Sequence, residues 1–270
     1  IKREEPSFRS EFNEETGQTI IAGMGELHLE IIKNKITRDM KVNVEVGKPR
    51  VSYREAITGT CESARGLFKK QSGGRGQFGD CTIKLEPYTA EQAEEAGLKF
   101  TDSIAFENAI VGGAIPKEFI PSVEVGVRQT AKSGVSAGYP LINIKATLMD
   151  GKYHDVDSSQ IAFEQAGRLA LMEAVGKAGS VLLEPIMKVV ITTPEDYLGN
   201  VTGDLSSRRG MIMDTEDRGM VKVIHAEVPL SEMFGYTTTL RGISQGRAAS
   251  AMEFEKYAPM PRTLQEAVIA

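Results

Sequence analysis

The chain has 270 residues, 41% of them hydrophobic and 26% charged, with a formal net charge of -5. That length exceeds what one compact core needs and predicts two or three domains, and no apolar run approaches the roughly 18 residues of a membrane span. The negative balance argues against a general nucleic-acid binder, because neutralising phosphates takes dense Lys and Arg. Cys61 and Cys81 are too few for a disulfide framework and lie in no metal-ligand spacing, which suits a reduced, cytoplasmic setting. The opening Ile1-Lys2-Arg3-Glu4-Glu5-Pro6 has neither an initiator Met nor the apolar core of a secretory signal, the pattern expected of a fragment.

Taken in chain order, Thr19–Ala22 is rich in β-formers and stops at Gly23-Met24-Gly25. From Glu26 to Arg38 apolar residues recur at helical spacing, and Val42–Val46 alternates with period two. The first block therefore reads strand, helix, strand, and ends at Gly47-Lys48-Pro49. A second block begins near Val51. It holds the glycine-rich loop Ser72-Gly73-Gly74-Arg75-Gly76-Gln77-Phe78-Gly79, which leads into the alternating strand Cys81–Leu85. A further strand, Leu141–Leu148, leads into a turn at Asp150-Gly151. Asp157, with Gln160 three positions on, is read as the N-cap of a helix that ends near Gly176 and Gly179. The third block runs Met187–Thr192 as strand, a helix opening at Pro194-Glu195-Asp196, a hairpin of Met211–Thr215 with Val221–Val228, a helix over 230–245, and a strand over Ser250–Tyr257. That order is βαββαβ, the split βαβ or ferredoxin-like arrangement. The first block parallels the second half of the third, as a truncated copy would.

Charge is distributed unevenly. Lys48 to Arg75 holds seven Lys or Arg against two Glu, and Glu86 to Glu124 holds eight acids against two Lys. This pattern allows an RNA-facing patch beside an acidic, solvated face.

No catalytic constellation is legible. A nucleotide hydrolase needs Gly-x-x-x-x-Gly-Lys-Ser/Thr to cradle phosphates, and the chain has none. His28 and His225 fall in regular elements and read as structural. His154 lies in the polar segment Lys152–Asp157, where metal binding with Asp155 and Asp157 is conceivable, but no fourth ligand is visible and no metal is expected. The loop from Ser72 to Gly79 lets backbone approach a nucleic acid, with Arg75 and Gln77 as donors. Composition alone favours a flexible turn.

The strings Gly23–Glu30, Gln71–Gly79, Tyr153–Ser159, Leu183–Met187, Gly203–Gly210 and Ala226–Tyr236 resemble the elongation factor G family, in family order and spacing and over essentially the whole chain. The resemblance implies an α+β, multidomain chain. Residues 1–47 would be a partial ferredoxin-like domain III. Residues 48–183 would be domain IV, like ribosomal protein S5, with a left-handed βαβ crossover against the usual preference. Residues 184–261 would be a ferredoxin-like domain V, with 262–270 as a tail. It further implies a part that binds the ribosome, at the decoding region of the small subunit and at large-subunit RNA and proteins, and that moves tRNA with mRNA. A domain IV tip of Gly74, Arg75, Gly76, Gln77, Tyr153, His154 and Asp155 would meet tRNA and mRNA, and Arg208, Arg209, Arg241 and Arg247 would meet ribosomal RNA. The GTPase domain, with its GTP and Mg, is expected outside this chain, which would be no enzyme and a monomer in the cytoplasm. A paralogous factor acting in ribosome recycling or ribosome protection is the alternative, and the intact Tyr153–Ser159 string favours factor G over the protection and back-translocating factors.

Overall fold

The computed structural model describes residues 8–14, 16–23, 26–47, 49–71 and 76–269, with only the backbone at Glu26 and Leu27. It divides into two compact units, Ile1–Ser52 with Glu184–Ala258 and Tyr53–Leu183 with Pro259–Ala270.

The first unit opens with a hairpin of β1 (Arg9–Asn13) and β2 (Gln18–Ala22) in antiparallel register from Arg9↔Ala22 to Asn13↔Gln18. Asn13 closes the turn: its side-chain oxygen accepts from Thr16 N at 3.1 Å, and its carbonyl accepts from Gly17 N at 2.9 Å, where φ is +65°. Helix α1 (Glu26–Asn34) follows and widens into a π-helical turn over Lys35–Asp39. The expected elements begin at Thr19 and do not include β1, so the block opens with a hairpin and a helix rather than a single strand and a helix. The expected strand Val42–Val46 does not form. Its alternation is present, yet no strand among the described residues lies beside it, and Val42 and Val46 stay exposed. A period-two pattern supplies a face, not a partner.

In the second unit, β3 (Arg54–Ile57), β4 (Cys61–Lys70), β5 (Gln77–Pro87), α2 (Ala90–Glu95), β6 (Phe100–Thr101), β7 (Ile104–Asn108), α3 (Ile120–Ser133), β8 (Ile144–Lys152) and α4 (Gln160–Ala178) occur in that order. The main sheet runs β4-β5-β8-β7-β6, and β7 pairs parallel to β8 with α3 as the crossover between them. This is the βαβ unit expected of the second block. Asp150-Gly151 does not turn the chain: β8 continues through it to Lys152, with Gly151 paired to Cys81, and a register shift between Thr82 and Ile83 leaves Met149 as the extra residue. Helix α4 packs on β4, β5 and α3. The core includes Ile83, Leu85, Ile144, Leu148, Leu171 and Phe163, whose ring stacks on Phe119 at 4.9 Å. Cys61 in β4 and Cys81 in β5 are both free and buried. Strand β9 (Ser180–Pro194) begins by pairing with β3, from Ile57↔Ser180 to Arg54↔Leu183.

The rest of β9 builds the first unit's other sheet. Its elements are α5 (Leu198–Ser207), preceded by a 3-10 turn at Glu195–Tyr197, then β10 (Met211–Arg218), β11 (Val221–Pro229), α6 (Tyr236–Ile243) and β12 (Ala249–Pro259). The strand order β10-β11-β9-β12 places the first and third strands of βαββαβ together at the centre, as the ferredoxin-like reading requires. Val189, Ile191, Ile224, Ala226 and Val228 pack against Val201, Leu205 and Leu240 of the helices. The helix expected over 230–245 is interrupted: a 3-10 turn at Leu230–Glu232 comes first, and Gly235 at φ +75° restarts the chain as α6. Residues 262–269, expected as a tail, form α7 (Arg262–Ile269) and belong to the second unit. There the Gln265 side chain accepts from Leu182 N at 3.3 Å and donates to Met260 O at 2.6 Å.

Candidate nucleic-acid interface

Strand direction decides which loops share an end of the second unit. Strand β4 arrives at that end with Lys70, β5 leaves it with Gln77, and β8 arrives at Lys152. The parallel β7 brings Asn108 to the same end. The chain on either side of the β4–β5 connection, at Gln71 and Gly76, therefore lies at the same end as loops 153–159 and 109–116. Ile115 is buried beneath Gly151, where an added Cβ would stand 2.4 Å from its Cδ1, so the third loop is seated against the end of β8. Sequence reading missed this loop, because its only signal is a pair of glycines at 112 and 113; both hold positive φ.

The first two loops are bonded to each other. Asp157 Oδ1 accepts from Gly76 N at 2.9 Å, Phe78 N donates to the Asp157 carbonyl at 2.8 Å, and Ser158 Oγ donates to Phe78 O at 3.0 Å. Ser158 Oγ also accepts from His154 N at 2.9 Å. His154 Nδ1 faces Val156 N and Asp157 N at 3.3 Å each, so in the unprotonated ring it is an acceptor, which leaves Nε2–H pointing away from these bonds as a donor. Asp157 thus corrects an expectation: it does not cap α4. Ser159 does, accepting from Ala162 N at 3.2 Å, while the carboxylate two residues earlier serves the glycine-rich loop.

Of the expected tip residues, Gln77, Tyr153, His154 and Asp155 are exposed and Gly76 is half-buried, all on these two loops. Gly74 and Arg75 lie outside the described residues. Exposed lysines Lys69, Lys70 and Lys152 stand at the same end, beside the exposed Asp155. The basic run that begins at Lys48 is not one patch: Arg65 is fixed by Asp80 through two bonds of 2.9 and 2.7 Å, and Arg54 donates to Tyr53 O. The acidic stretch is partly neutralised by the sheet, with Lys145 2.9 Å from Glu107 and 3.5 Å from Glu86.

Burial pushes the Cys81 thiol up to about 12, and the adjacent Asp80 carboxylate pushes the same way, so Cys81 is inert rather than nucleophilic. Among the described residues, no three His, Cys, Asp or Glu side chains converge as a metal ion would require, and no helix is long and apolar enough to cross a membrane. A polar groove of about 290 Å³ between α3 and α4 is lined by residues such as Gln129, Thr130, Glu164 and Arg168, away from the tip.

In the first unit the four expected arginines separate. Arg208 donates to Asp204 at 2.9 Å, to Thr239 Oγ1 at 3.1 Å and to Glu232 O, and lies 5.0 Å from the Tyr236 ring centre. Arg209 forks onto the buried Glu184 with two bonds of 2.8 Å and reaches Glu232 at 3.3 Å, contacts that raise its pKa further. Both guanidinium groups hold their own domain together. Arg241 and Arg247 are exposed.

Comparison with known proteins finds three matching family models. The family model described as elongation factor G, domain III matches residues 1–48, that of domain IV matches 49–179, and that of the C-terminus matches 181–268. A crystal structure from Thermus thermophilus is 39% identical with a TM-score of 0.84, covering 99% of this chain and 38% of that one.

Proposed function

The chain belongs to the elongation factor G family, and on that premise we propose that it is the ribosome-engaging part of a translocase, whose Gln77 and His154 loops advance tRNA and mRNA. The observation that carries this reading is that Gly76 and Phe78 are bonded to the loop after β8 at one end of the second unit, where Gln77 and His154 are exposed polar donors. Such a surface grips ribose and phosphate without reading bases, as a factor that must pass every codon requires. Lys69, Lys70 and Lys152 supply local positive charge on a chain that is acidic overall. In domain V, the exposed Arg241 and Arg247 are the cations assigned to ribosomal RNA, and Arg208 and Arg209 are assigned to the domain's own structure. The chain itself performs no covalent chemistry on this reading; GTP hydrolysis is assigned to a domain outside it, and the factor works as a monomer in the cytoplasm.

Replacing Gln77 and His154 together by Ala in the factor that carries this chain removes two donors, each worth about 1 kcal/mol. Translocation should slow by about tenfold to a hundredfold in a single-turnover assay, while ribosome-stimulated GTP hydrolysis stays intact. Unaltered translocation would refute the assignment. A loss confined to ribosome splitting would move the factor to the recycling class.

A further inference from the structure

We propose that Asp157 is the positioning residue of the tip: its carboxylate locks the segment Gly76–Phe78 onto the loop after β8, so that Gln77 and His154 are presented as one preset surface. This rests on the translocation reading above and adds a residue that the reading does not require.

An acid at a surface destined for phosphates is unfavourable by charge, so its presence needs a compensating role. Asp157 is half-buried, and its carboxylate turns inward. Oδ1 receives Gly76 N–H at 2.9 Å. Its backbone completes the junction, with the carbonyl accepting from Phe78 N at 2.8 Å and the N–H meeting His154 Nδ1 at 3.3 Å. Gln77 is therefore bracketed: the residues on either side of it both bond to Asp157. The same residue contacts the His154 ring, whose own backbone N–H is fixed 2.9 Å from Ser158 Oγ.

The glycine at 76 belongs to this arrangement. An added Cβ there would stand 3.0–3.2 Å from the Asp157 carboxylate carbon and both its oxygens, so a side chain would crowd the group that holds the loop. A carboxylate accepting from a backbone N–H makes a charge-assisted bond, stronger than a neutral pair. Without it the described end of that loop keeps the bonds at Phe78, and a sequence with four glycines between 72 and 79 has many other conformations to visit. Asp157 restricts that freedom before RNA arrives, so binding does not have to.

The test uses Asp157→Ala and Asp157→Asn, the latter keeping an acceptor oxygen at the same place without the charge. Amide hydrogen exchange of Gly76 and Phe78 is measured in the 270-residue chain, with β5 and α4 amides reporting that the unit stays folded. Single-turnover translocation is measured in the factor that carries the chain. Asp157→Ala should speed exchange at both amides about tenfold and slow translocation by a similar factor, and Asp157→Asn should restore most of both. Unchanged exchange in Asp157→Ala overturns the proposal, as does an Asn variant as impaired as the Ala variant, which would make charge rather than the bond the active property. Faster exchange with normal translocation also overturns it, provided the Gln77 and His154 double variant is slow. If that double variant translocates normally, the tip reading itself falls, independently of Asp157.

Discussion

Glu55 offers the sharpest test of how the second unit is built. Its side chain is buried, the residue 1% exposed, and its two oxygens receive four backbone N–H groups. Oε2 accepts from Val135 and Ser136 at 3.0 Å each, and Oε1 accepts from Ala137 at 2.6 Å and Tyr139 at 3.2 Å. The backbone of Glu55 continues the contact, donating to Pro140 O at 2.9 Å and accepting from Ile142 N at 2.9 Å. The segment from α3 to β8 is thus wound around one carboxylate. Glu55→Gln keeps shape and volume but turns an NH2 toward two of the four donors. Leaving two buried N–H groups facing a donor costs about 1–3 kcal/mol each, so unit two should lose about 2–6 kcal/mol. That is a large fraction of the roughly 5–15 kcal/mol typical of a domain. With no Trp in the chain and two units to unfold, a single optical transition is a poor readout. Native-state hydrogen exchange of the slowest amides in β5 and α4, with far-UV circular dichroism in urea beside it, isolates this unit. A change below about 0.5 kcal/mol would show that the four bonds are replaceable by water, and would refute the reasoning.

Glycine substitutions should divide by what surrounds them. Gly66→Ala puts a Cβ 1.9 Å from Ala166 O and should destabilise the unit by about 1–3 kcal/mol or more, whereas Gly203→Ala, with nothing within 4 Å inside α5, should stabilise by up to about 1 kcal/mol; thermal unfolding of both variants checks the contrast. Cys81 titrates near about 8.5 in an unfolded chain and is raised to about 12 by burial and Asp80, so its contribution to stability is complete below about pH 8.5 and is lost as the pH climbs toward 12. At about pH 8 it should alkylate only as fast as the unit opens, and fast labelling of folded protein would contradict the burial. Arg209→Ala strands the buried Glu184 and should cost about 3 kcal/mol in unfolding measurements, while Arg247→Ala should change stability by less than about 0.5 kcal/mol and weaken ribosome binding instead.

What the sequence disclosed depended on whether the cause was local. The helix ending at Gly179 was legible because its periodicity and its φ +75° terminator lie within the element itself. The order βαββαβ was legible for the same reason, hairpin turn included. Val42–Val46 was misread because alternation cannot report whether a neighbouring strand exists. Asp157 and Ser159 are both good capping residues, and only the position of Gly76, 81 residues earlier, decides which one caps the helix. The second loop of the tip was found by resemblance to a family, not from its composition. Arg208 and Arg209 look like free cations in a string, and their partners Glu184 and Glu232 are too distant in sequence to be seen. Glu55 gave no signal at all, since a single acid at a strand start is usually solvated.

Helix α4 gives the second unit a mechanical character. It runs 19 residues, about 28 Å, from the capping serine beside the tip to Gly179. Ala162, Ala166, Ala170, Ala174 and Ala178 are all buried along it, and Gly66, Gly79 and Gly126 from β4, β5 and α3 bring backbone directly against its own backbone. Small-residue contacts of this kind have no rotamers to relax and little void to compress. A push received at the tip is therefore passed along the helix without being absorbed by side-chain rearrangement. The unit is built as a strut between its capping serine and Gly179.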